Sequence, residues 1–146
     1  ITIETEGSHF VTTDYPIGLI SLSPKFSNSR PVVGTTTPGG KVVDERFVAQ
    51  HEKFRLNYDA IEKTLTYHDD YHYKPVWDGT DEGLAEIESF RVKMDIPKDK
   101  TFVMPAGDTR ETLIEMYPLV FELCAEHGYN MTGRDHIIAY DQRRQV

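Results

Sequence analysis

The chain has 146 residues, 38% hydrophobic and 27% charged, and its 16 Lys and Arg against 24 Asp and Glu leave a formal net charge of −8. That acidity argues against general nucleic-acid binding, which needs a positive surface, and apolar runs such as Ile17-Gly18-Leu19-Ile20 fall far short of the ~18 residues that span a bilayer. The length allows a proper core without staples. Its single cysteine, Cys124, can form neither an internal disulfide nor a thiolate metal site, which fits a reducing, cytoplasmic setting.

Ile1-Thr2-Ile3-Glu4-Thr5 alternates apolar and polar at period two and reads as a buried strand. With no initiator Met, basic n-region or apolar h-region before it, the chain is expected to be a fragment or a processed product. Leu19 to Ser23 reads as a second strand. Asn28 to Val43 is rich in turn formers and lacks periodicity, which predicts a long loop, either a mobile lid or disordered. Asp44 to Phe54 reads as a helix, and Asn57 as the cap of another with Ile61 and Leu65 facing inward. Tyr73 to Asp78 is a third strand, placed at an edge or on a bulge by Pro75. Thr80 opens a helix to Phe90 with acids in its first turn. Lys100 to Met104 is the fourth strand.

From Asp108 a long helix is predicted, with Asp108 and Glu111 as a capping box. Leu113, Ile114, Tyr117, Val120, Phe121 and Cys124 form one apolar stripe, and Gly128 stands at C′. Pro118 inside it predicts a kink or break near Ile114 to Tyr117. His136 to Tyr140 is the fifth strand.

Strands alternating with helices at these spacings predict a single α/β domain over residues 1–146 with a parallel sheet. Chemistry then sits at the strands' C-terminal ends, which selects Glu4 to Gly7, Ser21 to Lys25, Lys74 to Asp78, Met104 to Gly107 and the tail beyond His136. A carboxylate such as Glu4 can accept from two vicinal hydroxyls at once, and Lys25 beside Ser23 suits a carboxylate ligand. His136 offers a donor and an acceptor to a heterocycle edge. Each has a plainer alternative: a solvated strand-end acid, a strand exit at Pro24, the start of a buried strand. His68-Asp69-Asp70-Tyr71-His72 mimics a metal site, but a helix-to-strand turn is expected to part the two imidazoles, so no metal ligands are assigned.

The order Ile3-Glu4-Thr5-Glu6-Gly7, Ser21-Leu22-Ser23-Pro24-Lys25 with Asn28 behind it, Phe102-Val103-Met104-Pro105-Ala106-Gly107-Asp108, His127-Gly128-Tyr129 and His136-Ile137-Ile138-Ala139-Tyr140 resembles the C-terminal half of radical S-adenosylmethionine enzymes of the 7-carboxy-7-deazaguanine synthase family. The resemblance implies the C-terminal part of a partial (β/α) barrel. The three-cysteine motif for a [4Fe-4S] cluster would lie in an N-terminal half outside this sequence, leaving the chain inactive alone. In the complete enzyme, S-adenosylmethionine cleaved to a 5′-deoxyadenosyl radical would act on 6-carboxy-5,6,7,8-tetrahydropterin, with Mg²⁺ present and loss of ammonia. Position by position, it implies that Glu4 bonds the ribose of S-adenosylmethionine, that Ser23 and Lys25 lie on the same side, and that His136 and Val146 lie near the pterin.

Two departures stand out: Ala106 where many members carry glutamate, and the Tyr140 to Val146 tail. A glycyl-radical activating enzyme and a non-catalytic α/β binding module are the alternatives. A homodimer is expected, with Ile1 to Thr5 as the exposed edge that would pair with the missing half or a second copy.

Overall fold

A computed structural model describes residues 1–15, 17–37, 39–68, 70–141 and 143. It is α/β with parallel strands, in two compact units, Ile1–Asp70 and Tyr71–Val146.

In the first unit β1 (Thr2–Thr5) runs parallel to β2 (Leu19–Leu22), with Glu4 opposite Ser21. The ladder continues at both ends, where the Gly18 N–H donates to the Ile1 carbonyl at 2.9 Å and the Ser23 N–H to the Thr5 carbonyl at 2.8 Å. α1 (Glu45–Phe54) and α2 (Tyr58–Tyr67) begin where the sequence predicts, because Asp44 accepts from the Phe47 N–H and Asn57 from the Ala60 N–H. Such caps satisfy one of the orphan donors of a first turn and contribute ~1 kcal/mol each. Ile20, Leu22, Phe26, Val43, Val48 and Ile61 are buried, and each large side chain so placed stabilises the fold by roughly 1.5–3 kcal/mol. The stretch 28–43, expected as a lid or a disordered loop, turns back on itself: Thr36 bridges Val42, and the Val43 N–H donates to the Thr35 carbonyl at 2.8 Å.

The second unit is a β-α-β-α-β arrangement in which β5 (Phe102–Pro105) is central. β4 (Val76–Trp77) and β6 (Asn130–Met131) flank it, both parallel. The single strand expected over Tyr73 to Asp78 is two, β3 (Tyr71–Tyr73) and β4, parted at Lys74 and Pro75, since proline lacks the N–H a ladder needs. Tyr73 is fully buried, its ring stacked on Phe90 and its hydroxyl donating to the Ile87 carbonyl at 3.2 Å. α3 (Asp81–Lys93) starts at the predicted Thr80 cap. Trp77 turns its indole N–H onto the Thr80 carbonyl at 2.8 Å.

α4 (Arg110–His127) differs from expectation in three respects. Its capping box is made by Thr109 and Thr112, one position past the expected Asp108 and Glu111 pair. Of the kink or break expected at Pro118, the break is absent: the helix is continuous, and the missing donor falls on the side of exposed Ile114, where water can serve the freed carbonyl. The buried stripe is Leu113, Val120, Leu123 and Cys124, while Ile114 and Phe121 are 59% and 66% exposed. Gly128 closes the helix in the left-handed conformation, φ 72°, as predicted.

The fifth strand expected at His136 to Tyr140 is instead a helix, α5 (Asp135–Tyr140). Ile137-Ile138 carries a strand's β-branched signal, but Arg110 reaches across to the carbonyls of Ile138 and Ala139, at 2.7 and 3.0 Å, and satisfies the end of a helix. The strand position belongs to β6, held by Asn130 N–H to the Thr101 carbonyl and Thr132 N–H to the Val103 carbonyl.

Candidate functional site

Side chains alternate across a strand, and partners in register share a face. On the β1–β2 pair this sorts the residues cleanly. Ile3, Thr5, Ile20 and Leu22 lie on one face, and Glu4, Ser21 and Ser23 on the other, where they follow Thr2 and Leu19. The first face is packed: a side chain at Gly7, just past β1, would come within 2.5 Å of Ile61 and 3.1 Å of Leu22. The second carries a carboxylate and two hydroxyls at the C-terminal end of parallel strands. A strand buried on both faces normally reads as a continuous apolar run, so Ser21, only 5% exposed, marks a departure that packing does not require.

The exit from β2 is held in place. The Ser23 N–H is bound to Thr5, and the Lys25 carbonyl accepts from Arg55 at 3.3 Å. Arg55 is itself oriented by Glu52 at 3.0 Å, and His51 lies 3.3 Å from the same carboxylate. Desolvation pushes the Glu52 carboxyl up, but bonds from Arg55 and His51 and the charges of Arg55 and Arg30 outweigh it and hold it below the usual range. On the other side of the strand ends, Asn57 donates to the Ser8 carbonyl at 3.0 Å.

Of the residues singled out from sequence, Glu4 and Ser23 share this strand-pair end, and Lys25 follows two residues past Ser23. Glu4 is exposed, and Ser23 and Lys25 are half-buried. Ser21, part of a predicted strand end but given no role there, faces Glu4 directly; its signal was the Ile20-Ser21-Leu22-Ser23 alternation. His136 belongs to the second unit, exposed on the first turn of α5 and not on a strand. Val146 lies outside the described residues, as does Asp69. His68 is buried beside the Tyr67 ring, whereas His72 packs on Phe102 with ring centroids 4.1 Å apart.

Among the described residues no three His, Cys, Asp or Glu side chains are grouped to hold a metal ion. Cys124 is buried and donates its S–H to the Asn130 carbonyl at 3.3 Å; burial pushes its thiol pKa up, against an opposing backbone bond to Val103. An iron-sulfur cluster needs several accessible thiolates, so these residues do not fit one. A carboxylate flanked by hydroxyls does fit the ribose hydroxyls or amine of a nucleoside ligand.

The geometry thus defines a parallel α/β protein whose polar strand-end face is suited to a hydroxyl-rich ligand. Over nearly its whole length the chain resembles 7-carboxy-7-deazaguanine synthase. It is 30% identical to the protein of that name from Halobacterium salinarum, with 96% of this chain and 54% of the relative covered. It is 29% identical to the one from Rhodopirellula baltica, with 99% and 52% covered. The chain therefore spans about half the length of these curated relatives. No family model matches it, and no solved structure does. No helix among the described residues is long and apolar enough to cross a membrane.

Proposed function

We propose that this chain supplies the nucleoside-binding strand ends of a radical S-adenosylmethionine lyase, cytoplasmic and homodimeric, that converts 6-carboxy-5,6,7,8-tetrahydropterin to 7-carboxy-7-deazaguanine with loss of ammonia. The observation that carries this reading is the polar face of β1–β2, with Glu4 opposite Ser21, in a chain that aligns throughout with two relatives of that name. Glu4 would accept from the ribose hydroxyls of S-adenosylmethionine, and Ser21 and Ser23 would complete the polar surface around it. Lys25, at the exit pinned by Arg55, would meet a carboxylate.

S-adenosylmethionine, when bound beside a reduced cluster, supplies the hydrogen-abstracting chemistry. The protein's work is to bind, orient and hold reactants in register. The cluster ligands lie outside this sequence, whose one cysteine is buried, so the chain by itself does not turn over. On the same reading the pterin contacts come from the His136 region, and the outer edge of β1 pairs with the rest of the enzyme.

Glu4→Gln in the complete, cluster-loaded enzyme tests the assignment. A hydrogen bond to a charged group contributes ~1.5–3 kcal/mol, so calorimetric titration should show S-adenosylmethionine affinity falling about 10- to 100-fold. Thermal stability should be nearly unchanged, because the position is a solvent-exposed strand end. Equal affinities for wild type and variant remove Glu4 from the site.

A further inference from the structure

The exposed apolar side chains of α4 do not stand alone. Ile114, Tyr117, Pro118 and Phe121, with Met131 and Ile138, line a groove of about 600 Å³ between α4 and the α5 region. Exposed apolar patches of this kind mark interaction surfaces. Its margins are acidic. Glu122 and Asp135 lie in the lining itself. Helical spacing, 100° per residue, sets Glu111, Glu115, Glu122 and Glu126 in one exposed row directly beside the apolar stripe. None of the four has an ion-pair partner among the described residues. Arg110, the first residue of α4, and Arg134, just before α5, are turned onto backbone carbonyls, those of Ile138, Ala139 and Gly107.

An apolar floor with acidic walls selects its occupant by charge. A second copy of this chain, net −8, would set acidic margin against acidic margin, which is unfavourable, and an anionic membrane surface would be repelled for the same reason. A helix with apolar residues at i, i+3, i+4 and i+7 and lysine or arginine on its flanks satisfies both features, and helix-in-groove docking is a recurring recognition mode. We infer that the groove between α4 and α5 is a docking site for a basic amphipathic helix of a partner protein.

The test titrates this chain into two labelled synthetic peptides read by fluorescence anisotropy: a leucine/lysine amphipathic helix and its leucine/glutamate twin. The leucine/lysine peptide should bind and the twin should not. Phe121→Ser, an exposed position that leaves the core intact, should weaken binding tenfold or more. Reversing two charges in Glu115→Lys/Glu122→Lys should weaken it about tenfold, since exposed charge pairs contribute ~0.2–1 kcal/mol each, and should let the glutamate twin bind. Asp14→Lys/Glu62→Lys makes the same change in net charge elsewhere on the surface and should cost little. No binding of the leucine/lysine peptide overturns the inference, and so does an equal loss in the two charge-reversed variants. Self-association at the titration concentrations, abolished by Phe121→Ser in sedimentation runs, overturns it in favour of a second copy.

Discussion

β2 and β5 are both buried parallel strands, yet they are written differently. β5 reads Phe102-Val103-Met104-Pro105, apolar on both faces, with Val103 and Pro105 buried and Phe102 and Met104 half-buried. β2 reads Leu19-Ile20-Ser21-Leu22 and goes on to Ser23, apolar throughout one face and turning polar after Leu19 on the other. Both strands have four residues and both pair in parallel, so the difference lies in the second face. Where a fold asks only for packing, apolar residues fill both faces. On the proposed function, the hydroxyl kept at a buried position opposite Glu4 serves the ligand.

Substitutions can break that contrast or sharpen it. The largest effect should come from Gly7→Ala. Its φ of 80° costs an L-residue ~1–2 kcal/mol, and the added methyl meets Ile61 and Leu22. A loss of about 3 kcal/mol in denaturant unfolding is expected, borne by the packed face of β1–β2. Next, Val103→Ala on β5 should cost about 2 kcal/mol by leaving a cavity in a fully buried site. Ser21→Val, in contrast, should change stability by less than about 1 kcal/mol while weakening S-adenosylmethionine binding in the complete enzyme; stability loss without loss of affinity would make β2 as structural as β5.

Cys124 should resist alkylation in the native state and react once the chain is unfolded, because burial favours its protonated form. Its folded pKa is raised, so its contribution to stability is complete below the ordinary thiol range and is lost as pH rises through the elevated value. Glu52 has the opposite sign: its carboxyl is held low, so its contribution is present above the ordinary carboxylate range and fades as pH falls through the depressed value. Being partly exposed, it should give the smallest effect, a slightly shallower acid unfolding curve for Glu52→Gln.

Much of the architecture was legible where the signal is local. Asn57 and Thr80 cap the helices they were expected to cap, and Asp44, expected as the first residue of a helix, caps it instead, because an N-cap acts over three residues. β1 and β2 stand where strands were expected, although β1, expected to be buried, has no buried residue and begins beside an Ile1 that is 80% exposed; Glu4 and Ser23 share a face because they sit at those strands' ends. What failed was set at long range. α5 wears a strand's composition but is completed by Arg110, 28 residues upstream in its bond to Ile138. β6 has two residues, too few for a periodic pattern. Ile114 and Phe121 match the period of a buried stripe, yet the stripe is wider than the surface α4 has to cover. Ser21 was passed over because its partnership with Glu4 is a matter of register, which depends on how two distant segments align.

The chain has one tryptophan, and Trp77 is 8% exposed with its indole tied to the turn at Thr80. Its emission is therefore a private reporter of the second unit. A melt followed by tryptophan fluorescence passes over Gly7→Ala if the units unfold separately, while the same melt followed by backbone circular dichroism registers it. The gap between the two midpoints would measure how far the unit carrying Glu4 stands or falls on its own.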